Sequence, residues 1–174
     1  MQIRPALDFP ALLAEPVRVA LTALAPEQAA RCAVAEIDPA LADTAALCEH
    51  YGVPLHASAN CVVITGKRAG VQRWAACVVL ATTRADVNGV VRRRLDVRKA
   101  SFAAQDETIE HTGMEYGGIT PLGLPAGWPV LIDAAVAAAE QVVVGSGLRR
   151  SKLLLPGAVL AALPRAEVLH GLAE

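Results

Sequence analysis

The sequence predicts an α+β domain rather than a doubly wound parallel sheet. Short runs rich in β-branched residues, such as Cys61–Thr65 and Trp74–Ala81, mix along the chain with short helical patterns such as Asp106–His111. That mixture argues for strands and helices that do not alternate in a wound sheet. The length of 174 residues fits one domain, residues 1–174. The core can be built from Ala, Val and Leu, since 54% of the residues are hydrophobic and only 3% are aromatic.

Taken in order, Ala11–Leu24 reads as a helix because Leu12, Leu13, Val17, Leu21 and Leu24 recur at three- to four-residue spacing. Pro16 fits only the first turn, so the helix proper should begin near it. Ala33–Ile37 is a short apolar strand. Asp38 and Pro39 form a helix start, as N-cap and first helical residue. Leu41, Ala45 and Cys48 then share a face, and Gly52 and Pro54 end the helix. Cys61–Thr65 and Trp74–Ala81 form a hairpin across the longer loop Gly66–Gly70. Asn88-Gly89 is a favoured hairpin turn. Asp86, however, can cap a helix with Val87, Val90, Val91 and Leu95 on one face and arginines on the other, and the helix is the reading adopted. Lys99–Ala103 is a strand, and Asp106–His111 is a helix with an acidic first turn, ended by Gly113. Val130–Asp133 and Val142–Val144 are strands flanking an alanine-rich helix or turn. Leu153–Leu155 is a further strand and Pro156–Leu163 a short helix. No internal repeat or low-complexity tract is visible.

Bulk properties exclude several classes. The net charge of −1 gives no global attraction to polynucleotides, which usually meet a basic face. Any such face must be local, from Arg92, Arg93, Arg94, Arg98 and Lys99, or from Arg149, Arg150 and Lys152. Cys32, Cys48, Cys61 and Cys77 form no Cys-x-x-Cys pair and have no histidine at zinc-ligand spacing. This is the cysteine usage of a reducing cytoplasm, so a cytoplasmic location is expected. There is no signal-peptide pattern. The longest apolar runs, such as Ala75–Ala81, are too short to span a bilayer. Neither a membrane nor DNA is implied as partner, and no metal or cofactor. Serine-hydrolase elbows, Walker loops and His-Glu-x-x-His are absent. His50, His56, His111 and His170 are scattered.

The densest local signal is Thr112–Pro125, with four glycines and two prolines among few charges. Glycine permits φ > 0 and close approach of another molecule, while Pro121 and Pro125 stiffen the segment. Met114, Tyr116, Ile119, Leu122 and Leu124 argue that it packs on the protein body. It is a glycine-lined binding surface or an ordinary tight connection, and composition leaves both open.

This segment resembles the signature loop of the YbaK/ProX-type aminoacyl-tRNA deacylases, relatives of the editing domain of bacterial prolyl-tRNA synthetases. Asp86–Ala103, Pro129–Asp133 and Val142–Gly147 resemble further family pieces in the same order, and the resemblance runs over about residues 55–163. It implies a mixed, mostly antiparallel, barrel-like sheet with helices packed outside. It also implies trans-acting hydrolysis of a small amino acid misattached to tRNA. The partner is then the aminoacylated tRNA 3′ end, with an aminoacyl-tRNA synthetase as a further partner to consider.

The resemblance also assigns roles. Gly117, Gly118, Ile119, Thr120 and Pro121 would turn main-chain groups toward the aminoacyl moiety. Preorganised N–H donors stabilise a developing oxyanion, each by roughly 3 kcal/mol. Asp133 would orient a hydroxyl or ammonium group, or is simply an N-cap for the residues after it. Gly145, Ser146 and Gly147 would form a second wall, or only a β-turn. Thr112 would line the site or end its helix. The family's lysine at the start of the first central strand is replaced by Asn60, which offers hydrogen bonds but no charge. That replacement supports an alternative: a non-catalytic module binding an aminoacyl-adenosine or tRNA 3′ end. Another small-molecule hydrolase on the same fold is a third reading. Cys61, beside Asn60, reads as core, since no adjacent cation lowers its pKa.

Overall fold

A computed structural model describes residues 1–174. In chain order its elements are β1 (Ile3–Pro5), α1 (Glu15–Thr22), α2 (Pro26–Ala29), β2 (Ala33–Glu36), α3 (Thr44–Tyr51), β3 (Ala59–Arg68), β4 (Val71–Leu80), α4 (Arg92–Arg94), β5 (Ala100–Phe102), α5 (Gln105–Thr112), β6 (Val130–Asp133), α6 (Ala134–Ala138), β7 (Val142–Gly145), β8 (Ser151–Leu155), α7 (Gly157–Ala161) and β9 (Ala166–Leu169). The strands form two sheets rather than a closed barrel, one ordered β1-β2-β8-β7 and the other β5-β3-β4-β6-β9. Pairing is antiparallel except at β4–β6 and β6–β9. The architecture is therefore α+β and mostly antiparallel, as the mixed pattern predicts.

Local chemistry explains most boundaries. Pro16 lies in the first turn of α1, whose Val17 and Leu21 are fully buried. Asp38 accepts from the Ala40 amide at 2.9 Å, but it caps only a 3₁₀ turn over Pro39–Leu41. The α-helix itself begins at Thr44 and ends at left-handed Gly52. The hairpin is tighter than the sequence suggests: β3 and β4 pair from Ala59↔Leu80 to Arg68↔Val71. Ala69 and Gly70 turn it with φ of +48° and +80°, the two-residue geometry that matches strand twist. Asp86 accepts from the amides of Gly89 and Val90 and so caps a helical segment. Its first turn, Val87–Val91, is π-helical before α4 continues it. The short strands β1 and β9 carry no period-2 signal and are found only in the fold.

Strand alternation sorts the core. Val78, Ile132, Val144, Leu153 and Leu155 join both sheets to α1, α6 and α7 in the main cluster. On the other face of the five-stranded sheet, Ile64, Cys77, Val79 and Leu131 pack against Val91, Leu95 and Leu172. In β8 the same period of two turns Leu154 away from the main core, toward Ala35, Ala42, Leu47 of α3 and Val143. Lys152, two residues earlier, takes that same face. Ser58, just before β3, bridges to Val143 of β7. The two sheets thus meet at a seam beside α3.

Candidate functional site

A cavity of about 250 Å³ lies at this seam. Five segments build it: Ala42–Thr44 and Leu47 at the start of α3, Ser58–Val62 at the start of β3, Tyr116–Gly117 with Ile119, the end of β7 from Val143 to Gly145, and Lys152. Sequence-distant pieces converge here because the chain entering β3 bridges in parallel to β7 at Ser58 and Val143, and the two glycine loops lie at that junction.

Those loops are tied to each other through main-chain bonds. Gly147 N donates to Gly118 O at 2.7 Å, and Glu115 N donates to Gly147 O at 2.8 Å. The Glu115 carboxylate accepts from the Arg149 amide at 2.6 Å. The approach is so close that a Cβ on Gly145 would sit 2.2 Å from Gly118 O, and one on Gly118 would sit 2.6 Å from the Leu148 backbone. Glycine at these two positions is what lets the loops interlock. Gly117 and Ile119 line the cavity, and their amides donate to no protein acceptor.

Polar side chains complete the lining. Thr44 Oγ1 donates to Asn60 Oδ1 at 2.7 Å, leaving the Asn60 amide N–H groups for a ligand. Arg149, outside the lining, joins two residues of it, its guanidinium 3.9 Å from Asp43 and 3.4 Å from Tyr116 O. Lys152 is buried, 7% exposed. Its ammonium donates to Ala42 O at 2.8 Å and Gly117 O at 3.0 Å. Burial holds its pKa down at about 8, and Arg149 adds to that; Asp43 and Cys48 oppose it. Cys61 also lines the cavity, but burial pushes its thiol far above the ordinary value, a shift Cys77 reinforces. A thiol held protonated is no nucleophile at neutral pH.

Of the residues singled out from sequence, the fold brings Asn60, Gly117, Ile119 and Gly145 to this cavity. The others lie elsewhere. Asp133 caps α6, accepting from Ala135 N at 2.9 Å and from Ala173 N at 3.3 Å. Thr112 is buried at the end of α5, donating to Thr108 O and accepting from Met114 N. Ser146 is fully buried, its hydroxyl 2.8 Å from Ser151 Oγ, which in turn donates to Leu12 O. Thr120 is fully buried with its Oγ1 unpaired. Gly118 and Gly147 form the loop-to-loop bonds, and Pro121 borders a separate apolar cleft with Trp128.

Lys152 is the residue that sequence reading misplaces, as one of a basic surface group with Arg149 and Arg150. The available signal was its place one residue ahead of Leu153–Leu155. Extending that strand backwards puts a lysine inside a sheet, and a buried lysine is rare.

The model of the aminoacyl-tRNA editing domain matches residues 38–163, every segment of the cavity included. The chain belongs to the aminoacyl-tRNA editing domain family. Comparison with curated proteins finds no match. Among solved structures, one described as a candidate trans-editing enzyme for prolyl-tRNA synthetase superposes with a TM-score of 0.72 at 21% identity, covering 91% of this chain and 97% of that one. The hypothetical protein APE2540 superposes with a TM-score of 0.76 at 18% identity, covering 92% and 100%. A protein of Marinobacter aquaeolei VT8 described as a candidate signal transduction protein matches 91% of this chain but only 30% of its own, with a TM-score of 0.56 at 19% identity. Likeness at these identities establishes the fold of the editing domain. No helix in it is long and apolar enough to cross a membrane.

Proposed function

We propose that this editing domain acts in trans as a hydrolase, cleaving the ester between a small misattached amino acid and the tRNA 3′-ribose. The observation that carries the reading is the cavity that the two interlocked glycine loops close, lined by Gly117 and Ile119, whose amides donate to no protein acceptor. An aminoacyl ester is already activated. The site must hold the acyl group, admit a water and stabilise the oxyanion that forms when the water attacks the carbonyl carbon. Collapse of that intermediate breaks the bond to the ribose oxygen, which takes up a proton. The neighbouring ribose hydroxyl is a suitable orienting group for the water, since no histidine lines the cavity and its one carboxylate, Asp43, faces the Arg149 guanidinium at 3.9 Å. Main-chain donors aimed at the oxyanion fit such a scheme. A volume near 250 Å³ has room for such an aminoacyl group.

The test is deacylation by purified protein of a panel of Ala-, Ser- and Cys-charged tRNAs of several acceptors. Hydrolysis of one member establishes editing and names the substrate; inertness toward all of them refutes it. The uncharged Asn60 favours a second reading, a pocket that binds the aminoacyl-adenosine end without cleaving it. Binding of a non-hydrolysable aminoacyl-adenosine amide by an inert protein would select that reading.

A further inference from the structure

We propose that Lys152 is the cationic ligand-contacting residue of this site, its ammonium reaching the ester carbonyl oxygen from β8 rather than from the start of β3. The inference rests on the editing reading above and adds to it a residue from a strand that the loop signature does not include. An ammonium has three donors. Two are taken, by Ala42 O and Gly117 O, and the third meets no protein acceptor although Lys152 lines the cavity. No carboxylate lies within ion-pair distance of it, the nearby Asp43 being engaged with Arg149. Buried lysines are almost always paired, so a charge kept here without a carboxylate has a natural partner in the oxygen of a bound ester. The bond to Gly117 O also places the ammonium beside the residue whose amide is free. Asn60, at the edge of the same cavity, supplies hydrogen bonds but no charge.

The groups facing Lys152 set its protonation. Asp43 precedes α3, Cys48 lies on α3 and Arg149 belongs to the second glycine loop. Burial and Arg149 hold its pKa near 8, while Asp43 and Cys48 pull the other way. The charged form prevails at neutral pH and is lost just above it.

The experiment compares wild type and Lys152→Met, both verified as folded by circular dichroism, in steady-state deacylation of the mischarged tRNA panel. Binding of 3′-alanylamino-3′-deoxyadenosine, a non-hydrolysable amide, is measured in parallel. Loss of one oxyanion donor should lower kcat about 100- to 1000-fold while KM moves by no more than a few-fold. Wild-type kcat, corrected for spontaneous ester hydrolysis, should fall as pH rises through about 8. A Lys152→Met protein that keeps its kcat overturns the proposal. If that variant does not fold, the wild-type pH profile decides alone, and a profile flat from pH 7 to 9 overturns it. A wild type that cleaves no member of the panel refutes the hydrolase reading instead, and amide binding then decides. Binding lost in Lys152→Met keeps Lys152 as the ligand's cation, whereas equal binding, or none by wild type, overturns it.

Discussion

Replacing Lys152 by methionine should make the stability difference between the two proteins depend on pH, with a sign that the burial dictates. In the unfolded chain the amine has an ordinary lysine pKa near 10.5, and in the folded protein it sits at about 8. Between those values the unfolded state holds a proton that the folded state has lost, so stability rises with pH across the window. Below about pH 8 the protein carries the full cost of a buried ammonium, and above about 10.5 that cost is gone. The gap corresponds to about 3 kcal/mol, at about 1.4 kcal/mol for each pH decade. Of this, about 2.5 kcal/mol should appear between pH 7 and pH 10. Methionine carries no such charge, so wild type should gain about that much relative to Lys152→Met as pH rises from 7 to 10. The offset at pH 7 also reflects the carbonyls of Ala42 and Gly117, which lose their donor. That part is independent of pH. The thiols of Cys32, Cys61 and Cys77, all pushed up by burial, titrate alike in both proteins and cancel in the difference, whereas Cys48, pushed up by burial and drawn down by Lys152, does not cancel. Urea unfolding of both proteins at pH 7 and pH 10 reads the effect directly. A difference that stays constant within about 0.5 kcal/mol would show that the Lys152 amine is not buried as described.

Gly117→Val forces a β-branched residue into φ +84° and brings its Cβ to 2.5 Å from the Arg149 guanidinium. About 2 kcal/mol of strain is expected, together with abolished deacylation, which a thermal melt and the tRNA assay measure side by side. An undiminished rate would remove this loop from the site. Asn60→Lys adds a second ammonium to the cavity that Lys152 lines. Repulsion should lower the Lys152 pKa further, so the alkaline fall in kcat should move to lower pH; an unmoved profile would mean that the two side chains do not sense each other. Ser146→Ala removes the hydroxyl that links Ser151 to the Leu148 carbonyl and amide. It should cost about 1–3 kcal/mol in urea unfolding, and no measurable change would argue that this buried network is slack.

What the residues determine by themselves is local. Short β-branched runs and short periodic helices yield the α+β class, because alternation and 3.6-residue spacing follow from backbone geometry alone. Pro16, Asp38, Gly52, Asp86 and Gly113 mark element ends for equally local reasons of capping and backbone conformation. The glycine loop of residues 112–125 was visible as a candidate, and so was its kinship with editing domains. Tertiary structure decided which of those candidates share a cavity. Ser146 and Asp133 have side chains suited to a site, yet the fold spends both on internal hydrogen bonds. Lys152 reads as surface charge beside two arginines until β8 is placed between β2 and β7. Its burial depends on α3 and Ala42 covering one face of that sheet, contacts made more than a hundred residues away in sequence. No local pattern encodes such a contact. Charge and hydrogen-bonding capacity belong to the residue, but desolvation and partners belong to the fold.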